Sequence, residues 1–320
     1  MLLTYKNYVK TLFIILMTLL VIATAYAYYF AKNYPLPITN RMSFDAKITF
    51  IKENIDIAKI DTIIVGSSIG LNNVQGLTLE QSSKKIQGVL NLSVYEATPT
   101  QIEQVLELSS VFPNLKRIIY SAQYSDFAYA GKLKEYDPVF IKAYLGDSLS
   151  LKEKLAFYFN SCKNVFFLIR REWNWGAKYM QANQFTYLGF DASGSVPLRI
   201  YGKDIIKHRW ENPHSNKQSK HAYSALDRMS KRAKKEGVDF IFVMQPYRQP
   251  LYENYKHVKL VMRDFSNKTE KIMKKNGGSF VNLHKKLNLS DKYFADRSHL
   301  NYEGAVIGSK AIGEFVDSIN

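Results

Sequence analysis

An uncharged stretch from Thr11 to Ala31 (TLFIILMTLLVIATAYAYYFA) sets the first limit on what this chain can become. Roughly 20 apolar residues in a helix cross the hydrocarbon core of a bilayer, so residues 11–31 read as one membrane-spanning helix. Lys6 and Lys10 stand in the short tail before it, and Tyr26, Tyr28 and Tyr29 cluster at its far end. Cations keep their flank on the cytoplasmic side and amphipathic rings favour the headgroup layer. Residues 1–10 are therefore expected in the cytoplasm and everything after Lys32 outside it, in the periplasm or at the cell surface. Ala23-Thr24-Ala25 and Ala25-Tyr26-Ala27 also have the small-x-small form of a signal-peptidase site. The length of the apolar run favours an anchor over a cleaved signal.

Residues 32–45 (KNYPLPITNRMSFD) carry two prolines and little periodicity and read as a stalk. Residues 46–320 are ample for one α/β domain. Short apolar runs of strand type lie at Asp61–Gly66, Gly88–Ser93, Lys116–Ser121, Val238–Met244 and Ser279–Leu283. Helical stretches follow most of them. Thr98-Pro99-Thr100-Gln101 offers a cap residue, a proline at the first helical position and a glutamine at the capping-box position. Ser215–Glu236 runs to Gly237, a helix stop, and straight into the fourth strand. Strands alternating with helices predict a parallel sheet covered on both faces. Ligands of such sheets sit beyond the carboxyl ends of the strands, which is where chemistry is to be sought.

Two segments at those ends stand out. Gly66-Ser67-Ser68-Ile69-Gly70 closes the first strand, and a serine at a sharp strand-to-helix turn can project its hydroxyl into the crevice beside backbone N–H groups that suit an oxyanion. Near the C-terminus, Asp296-Arg297-Ser298-His299-Leu300-Asn301 precedes the last helix. An aspartate three residues before a histidine lets one loop present an imidazole together with the carboxylate that orients it. Nothing in the sequence calls for a metal or cofactor: Cys162 is the single cysteine, which excludes a disulfide framework and a Cys-rich zinc module.

A Gly-x-Ser turn after the first strand and Asp-x-x-His-Leu-Asn before the last helix form the bracket pattern of the SGNH/GDSL esterase superfamily, which this chain resembles. The resemblance implies a flavodoxin-like three-layer sandwich with about five parallel strands. It also implies a triad in which Ser68 is the nucleophile, His299 the base and Asp296 the orienting acid. Ser67 occupies the place of the family's aspartate in Gly-Asp-Ser, and Ser68 is preferred to it as the nucleophile. The middle blocks depart from the family. Where it places an oxyanion-binding glycine, the loop here reads Asn91-Leu92-Ser93-Val94-Tyr95-Glu96-Ala97-Thr98. The backbone N–H groups of Ser68 and of Glu96 or Ala97 are the donors that remain there. The third block's Gly-x-Asn-Asp is replaced by Ala122-Gln123-Tyr124-Ser125-Asp126, with Gln123 a candidate side-chain donor. Intact end blocks with an N-terminal anchor resemble the exported SGNH proteins of envelope acyl transfer, such as the lipoteichoic-acid D-alanylation and the alginate or peptidoglycan O-acetylation proteins.

Residues 123–213 form a large insertion between the third and fourth strands. It holds all three tryptophans, Trp173, Trp175 and Trp210, among Arg170, Arg171, Lys178, Lys207 and Arg209. Aromatic platforms with cations suit sugar rings and anionic groups, and equally a small core of the insertion's own or a membrane contact. Tyr247 and Arg248, after the fourth strand, are further substrate-binding candidates. The net charge of +16, from 44 Lys+Arg against 28 Asp+Glu, needs an anionic partner. No nucleic-acid motif is present, and a domain outside the cytoplasm meets envelope polysaccharide or another anionic polymer and the membrane surface instead. A membrane-bound acyltransferase supplying acyl groups is a further expected partner. The function so expected is a serine esterase or O-acyltransferase of an envelope glycan or polymer. A catalytically silent scaffold of the same fold and a lipid esterase remain alternatives.

Overall fold

The computed structural model describes residues 2–33, 38–39, 41–163, 189–204 and 207–319 of the chain. Helix α1 spans Leu2–Asn33. Its stretch Thr4–Ala25 is exposed throughout and is long and apolar enough to cross a membrane. Helix α2, Met42–Asn54, starts within the stretch read as stalk, and its Phe44, Ile48 and Ile51 are buried in the core.

Five strands follow the predicted runs closely: β1 Thr62–Gly66, β2 Val89–Asn91, β3 Arg117–Ala122, β4 Asp239–Met244 and β5 Ser279–Asn282. They form one sheet in the order β2-β1-β3-β4-β5, every pair parallel. Helices α3 (Ser68–Asn73) and α4 (Gly76–Ser82) lie between β1 and β2, and α5 (Pro99–Val105) follows β2. Side chains of a strand alternate between faces, and here both faces are apolar. Ile63 and Val65, Ile118 and Tyr120, and Phe240 and Phe242 point into a core shared with α2, α5 and the long helices Lys220–Glu236 and Lys256–Asn276. Ile64, Ile119, Ile241 and Val243 point into a second core with Leu79 of α4 and Ile312 and Val316 of the C-terminal helix Tyr302–Ser318. The molecule is thus a three-layer α/β sandwich with a flavodoxin-like strand order, reversing direction between β1 and β3.

Local chemistry closes the elements as the sequence predicts. The side-chain oxygen of Gln101 accepts the Thr98 N–H at 3.0 Å at the start of α5, and Gly237 takes φ 70° to end the helix before β4. In the long connection between β3 and β4, a helix spans Leu151–Lys163; residues 164–188 lie outside the described residues.

The end of β1 has no room for a side chain. A Cβ on Gly66 would collide with the Ser121 carbonyl oxygen of β3 and stand 3.0 Å from Gly70 Cα. Gly66→Ala is therefore expected to destabilise the fold by about 1–3 kcal/mol through overpacking, read as a lower midpoint in thermal unfolding of the full-length protein. An unchanged midpoint would mean that the strand and helix yield freely there.

Candidate active site

The turn after β1 separates its two serines. Ser67 is 4% exposed; its Oγ accepts the Ile69 N–H at 3.1 Å, capping α3, and donates to Asp126 Oδ1 at 2.6 Å. Ser68, the first residue of α3, is half-buried and its Oγ lies 2.8 Å from His299 Nε2. The Nδ1 of His299 lies 2.8 Å from Asp296 Oδ2. The other carboxylate oxygen of Asp296 accepts the backbone N–H groups of His299 at 2.7 Å and Ser298 at 2.8 Å.

These contacts assign the protons. Burial pushes the Asp296 carboxyl up, but the His299 charge and hydrogen bonds outweigh it and hold Asp296 well below the usual carboxylate range. An ionised carboxylate only accepts hydrogen bonds, so Nδ1 carries the imidazole proton and Nε2 accepts from the Ser68 hydroxyl. Burial disfavours a charged His299, yet the Asp296 anion and hydrogen bond, assisted by Asp126, raise its pKa above the ordinary value. The site is thereby arranged to take a proton from Ser68 and to stabilise the imidazolium that results.

The loop carrying Asp296 and His299 is strapped to the rest of the site at several points. Phe294 and Leu300 pair as a short antiparallel bridge around it. Asn73, at the end of α3 and fully buried, donates from Nδ2 to the Ser298 carbonyl at 3.1 Å and accepts the Leu300 N–H at 2.9 Å. The helix that begins with Ser68 thus grips both neighbours of His299. On the other side, Arg297 Nε donates to His214 Nε2 at 2.8 Å. Burial, with the Arg297 cation adding to it, pushes His214 down to about 3. Its neutral ring keeps the proton on Nδ1, 3.1 Å from the Tyr247 hydroxyl.

Among the candidate oxyanion donors, Ser68 and Glu96 keep a backbone N–H without an acceptor among the described residues. Glu96 adopts φ 56°, the left-handed conformation that favours glycine, in the loop where the resemblance leads one to expect glycine. Its side chain is exposed. The Ala97 N–H is committed to the Val94 carbonyl at 3.1 Å. Both N–H groups of Gln123 are committed as well, to the carbonyls of Pro246 and Ser298, so Gln123 clamps the His299 loop to the ends of β3 and β4 and has no donor to offer an oxyanion.

The substrate-binding candidates fare differently from expectation. Arg248 is bound on three sides: Nη1 donates to the Trp210 carbonyl at 2.5 Å, Nη2 pairs with Asp291 at 2.8 Å, and the guanidinium lies 3.9 Å from the Trp210 ring centroid. Trp210 itself packs against the small core of Leu289, Phe294, Leu300 and Ala305. Tyr247 is 1% exposed and accepts from the His214 backbone N–H at 3.0 Å. These three residues build the wall behind the triad loop and are not free platforms for a substrate. Trp173 and Trp175 lie outside the described residues.

Asp126, which the sequence shows only as part of a departed third block, belongs to the site. Its carboxylate accepts the Gln123 N–H at 2.8 Å besides the Ser67 hydroxyl. Burial pushes it up to about 6, against the pull of those hydrogen bonds and of His299. The bond of Asp126 to the Gln123 N–H is one half of a capping box, but with glutamine in place of serine or threonine at the cap position the sequence carries little sign of it. Asn73 had a weak one, two adjacent asparagines in a six-residue helix where their helix propensity is poor.

Residues 199–317 match the family model described as DltD protein, a span that holds Asp296 and His299 but not Ser68. A solved structure described as a candidate arylesterase from Agrobacterium tumefaciens str. C58 is 12% identical, with 82% of this chain and all of that chain covered, at a TM-score of 0.42. A comparison with curated proteins gives no match. The family match accords with the resemblance to the SGNH/GDSL superfamily and supports an SGNH-like esterase or acyltransferase in general terms.

Asp126 and Asp296 both favour the charged form of His299, while Arg297 opposes it. A base must be neutral to act, so ester hydrolysis is expected to fall away with decreasing pH through a value above that of an ordinary histidine. Removing one anion in Asp126→Asn lets His299 shed its proton earlier, and the acid limb of kcat/KM should move to lower pH. A limb that stays in place would show that Asp126 does not act on His299.

Proposed function

We propose that the chain is a membrane-anchored serine esterase or O-acyltransferase that works through an acyl-enzyme on Ser68, with its N-terminus in the cytoplasm and its domain outside. The observation that carries this reading is the unbroken hydrogen-bonded chain from Ser68 through His299 to Asp296. His299 Nε2 takes the Ser68 proton as Oγ attacks an ester carbonyl. The resulting oxyanion is met by the N–H groups of Ser68 and Glu96. The tetrahedral intermediate collapses as the imidazolium returns the proton to the leaving alcohol, and the acyl group stays on Ser68. His299 then deprotonates the acceptor, whose oxygen attacks the acyl carbonyl and releases Ser68. Asp296 remains ionised throughout and holds the imidazole in one tautomer.

Water as acceptor makes this an esterase, and a polymer hydroxyl makes it a transferase. An N-terminal apolar helix and a net charge of +16 favour an envelope polysaccharide or other anionic polymer as the acceptor. A membrane-bound acyltransferase is the matching source of acyl groups. The intact triad geometry speaks against a silent scaffold.

Full-length protein is expected to hydrolyse p-nitrophenyl acetate, and Ser68→Ala or His299→Ala to lower kcat by about 10³-fold or more. In the producing cell, the ester-linked acyl content of purified envelope polymers should fall on deletion and return with the wild-type gene but not with Ser68→Ala. Hydrolysis unaffected by Ser68→Ala would end the acyl-enzyme reading. Polymer acylation restored by Ser68→Ala would leave the scaffold.

A further inference from the structure

The segment just ahead of the domain's first helix reaches the candidate oxyanion loop. Arg41, which precedes α2, donates from Nη1 to the Tyr95 carbonyl at 3.0 Å. Its own position is fixed. The Arg41 carbonyl accepts the N–H groups of Phe44 and Asp45 at 3.0 Å, and its N–H donates to Thr39 Oγ1 at 3.0 Å. Helix α2 beyond it is locked into the core, with the buried Lys47 donating to the Gly194 carbonyl and lying 4.0 Å from the Phe190 ring centroid. A guanidinium on a rigid base therefore holds a carbonyl that belongs to no helix or strand.

That carbonyl shares its peptide unit with the Glu96 N–H. The described residues contain no cis peptide, so this unit is trans and its N–H points opposite to its oxygen. Whatever fixes the Tyr95 oxygen fixes the direction of the Glu96 N–H. The left-handed conformation at Glu96 is strained for a residue with a side chain, so the turn needs such a hold. Two other N–H groups of the turn are consumed, Val94 by the Gly66 carbonyl at 3.0 Å and Ala97 by the Val94 carbonyl. The first of these bonds sets the turn against the residue two before Ser68. Asn72 Nδ2, 3.3 Å from the Tyr95 hydroxyl, ties it again to α3. The Glu96 N–H has no acceptor among the described residues.

We propose that Arg41 is a positioning residue: by holding the Tyr95 carbonyl it directs the Glu96 N–H at the oxyanion formed on Ser68. The charge-assisted bond also polarises the shared peptide and strengthens that N–H as a donor. This inference rests on the acyl-enzyme reading above. It makes a residue just ahead of the domain's first helix part of the apparatus that stabilises the transition state.

The test uses full-length protein in detergent and two readouts, the rate of phosphonylation by a fluorophosphonate and the kcat and KM for p-nitrophenyl acetate. For Arg41→Ala, phosphonylation is expected to slow roughly tenfold or more and kcat to fall in parallel, with KM within about twofold. Guanidinium ion added to Arg41→Ala should recover part of the rate, which no merely structural role would allow. Arg41→Lys keeps the cation without the planar fork and should fall between the two; it serves as the deciding variant should Arg41→Ala fail to fold, wild-type rates then overturning the proposal. Phosphonylation of folded Arg41→Ala at the wild-type rate, or a loss confined to KM, overturns the proposal and leaves the acyl-enzyme reading intact. Absence of phosphonylation in the wild type overturns that reading, and the role of Arg41 with it.

Discussion

The hydrogen bond between Ser68 Oγ and His299 Nε2 joins residues 231 positions apart, and most of the fold around it serves to make that meeting unavoidable. A parallel sheet places the ends of all its strands at one edge, so the turn after β1 and the loop before the last helix arrive on the same side. The final approach is then set by side chains. A single hydrogen bond contributes only about 0.5–1.5 kcal/mol net, too little to hold a loop against its own conformational freedom. The loop of Asp296 and His299 is accordingly gripped redundantly, by Asn73 from the helix of Ser68, by Gln123 from the end of β3, and by His214 through Arg297.

Charge is distributed with the same economy. Two carboxylates and one cation act on His299, and the partner of that cation, His214, is kept neutral by burial. The neutral state matters, because a second imidazolium beside Arg297 would oppose protonation of His299 at the step that needs it. Arg248 and Trp210, which in sequence look like substrate contacts, spend their chemistry on one another and on Asp291. They form a stiff backing for the loop rather than a surface for ligands.

What the sequence made legible follows from how local each signal is. The five strands are short apolar runs with flanking turn residues, and burial on both faces of a parallel sheet demands no more than that. Ser68, Asp296 and His299 lie in two short motifs whose internal spacing carries their geometry. The cap at Thr98 and the stop at Gly237 are equally local. Tyr247, Arg248 and Gln123 take other roles than the sequence suggests because residue type does not reveal whether a side chain is already satisfied. Both N–H groups of Gln123 find carbonyls 123 and 175 residues away, and no spacing rule reaches so far. The bonds of Asp126 to Ser67 and of Arg41 to Tyr95 span 59 and 54 residues and are invisible for the same reason.

The mechanism stands or falls on which atom carries the acyl group. Full-length protein mixed with p-nitrophenyl acetate, quenched in acid during the first turnover and digested, should yield the peptide of residues 60–84 acetylated on Ser68. The adduct should be lost in His299→Ala. Acetylation of Ser67 instead, of neither serine, or of Ser68 to the same extent without His299, would contradict it.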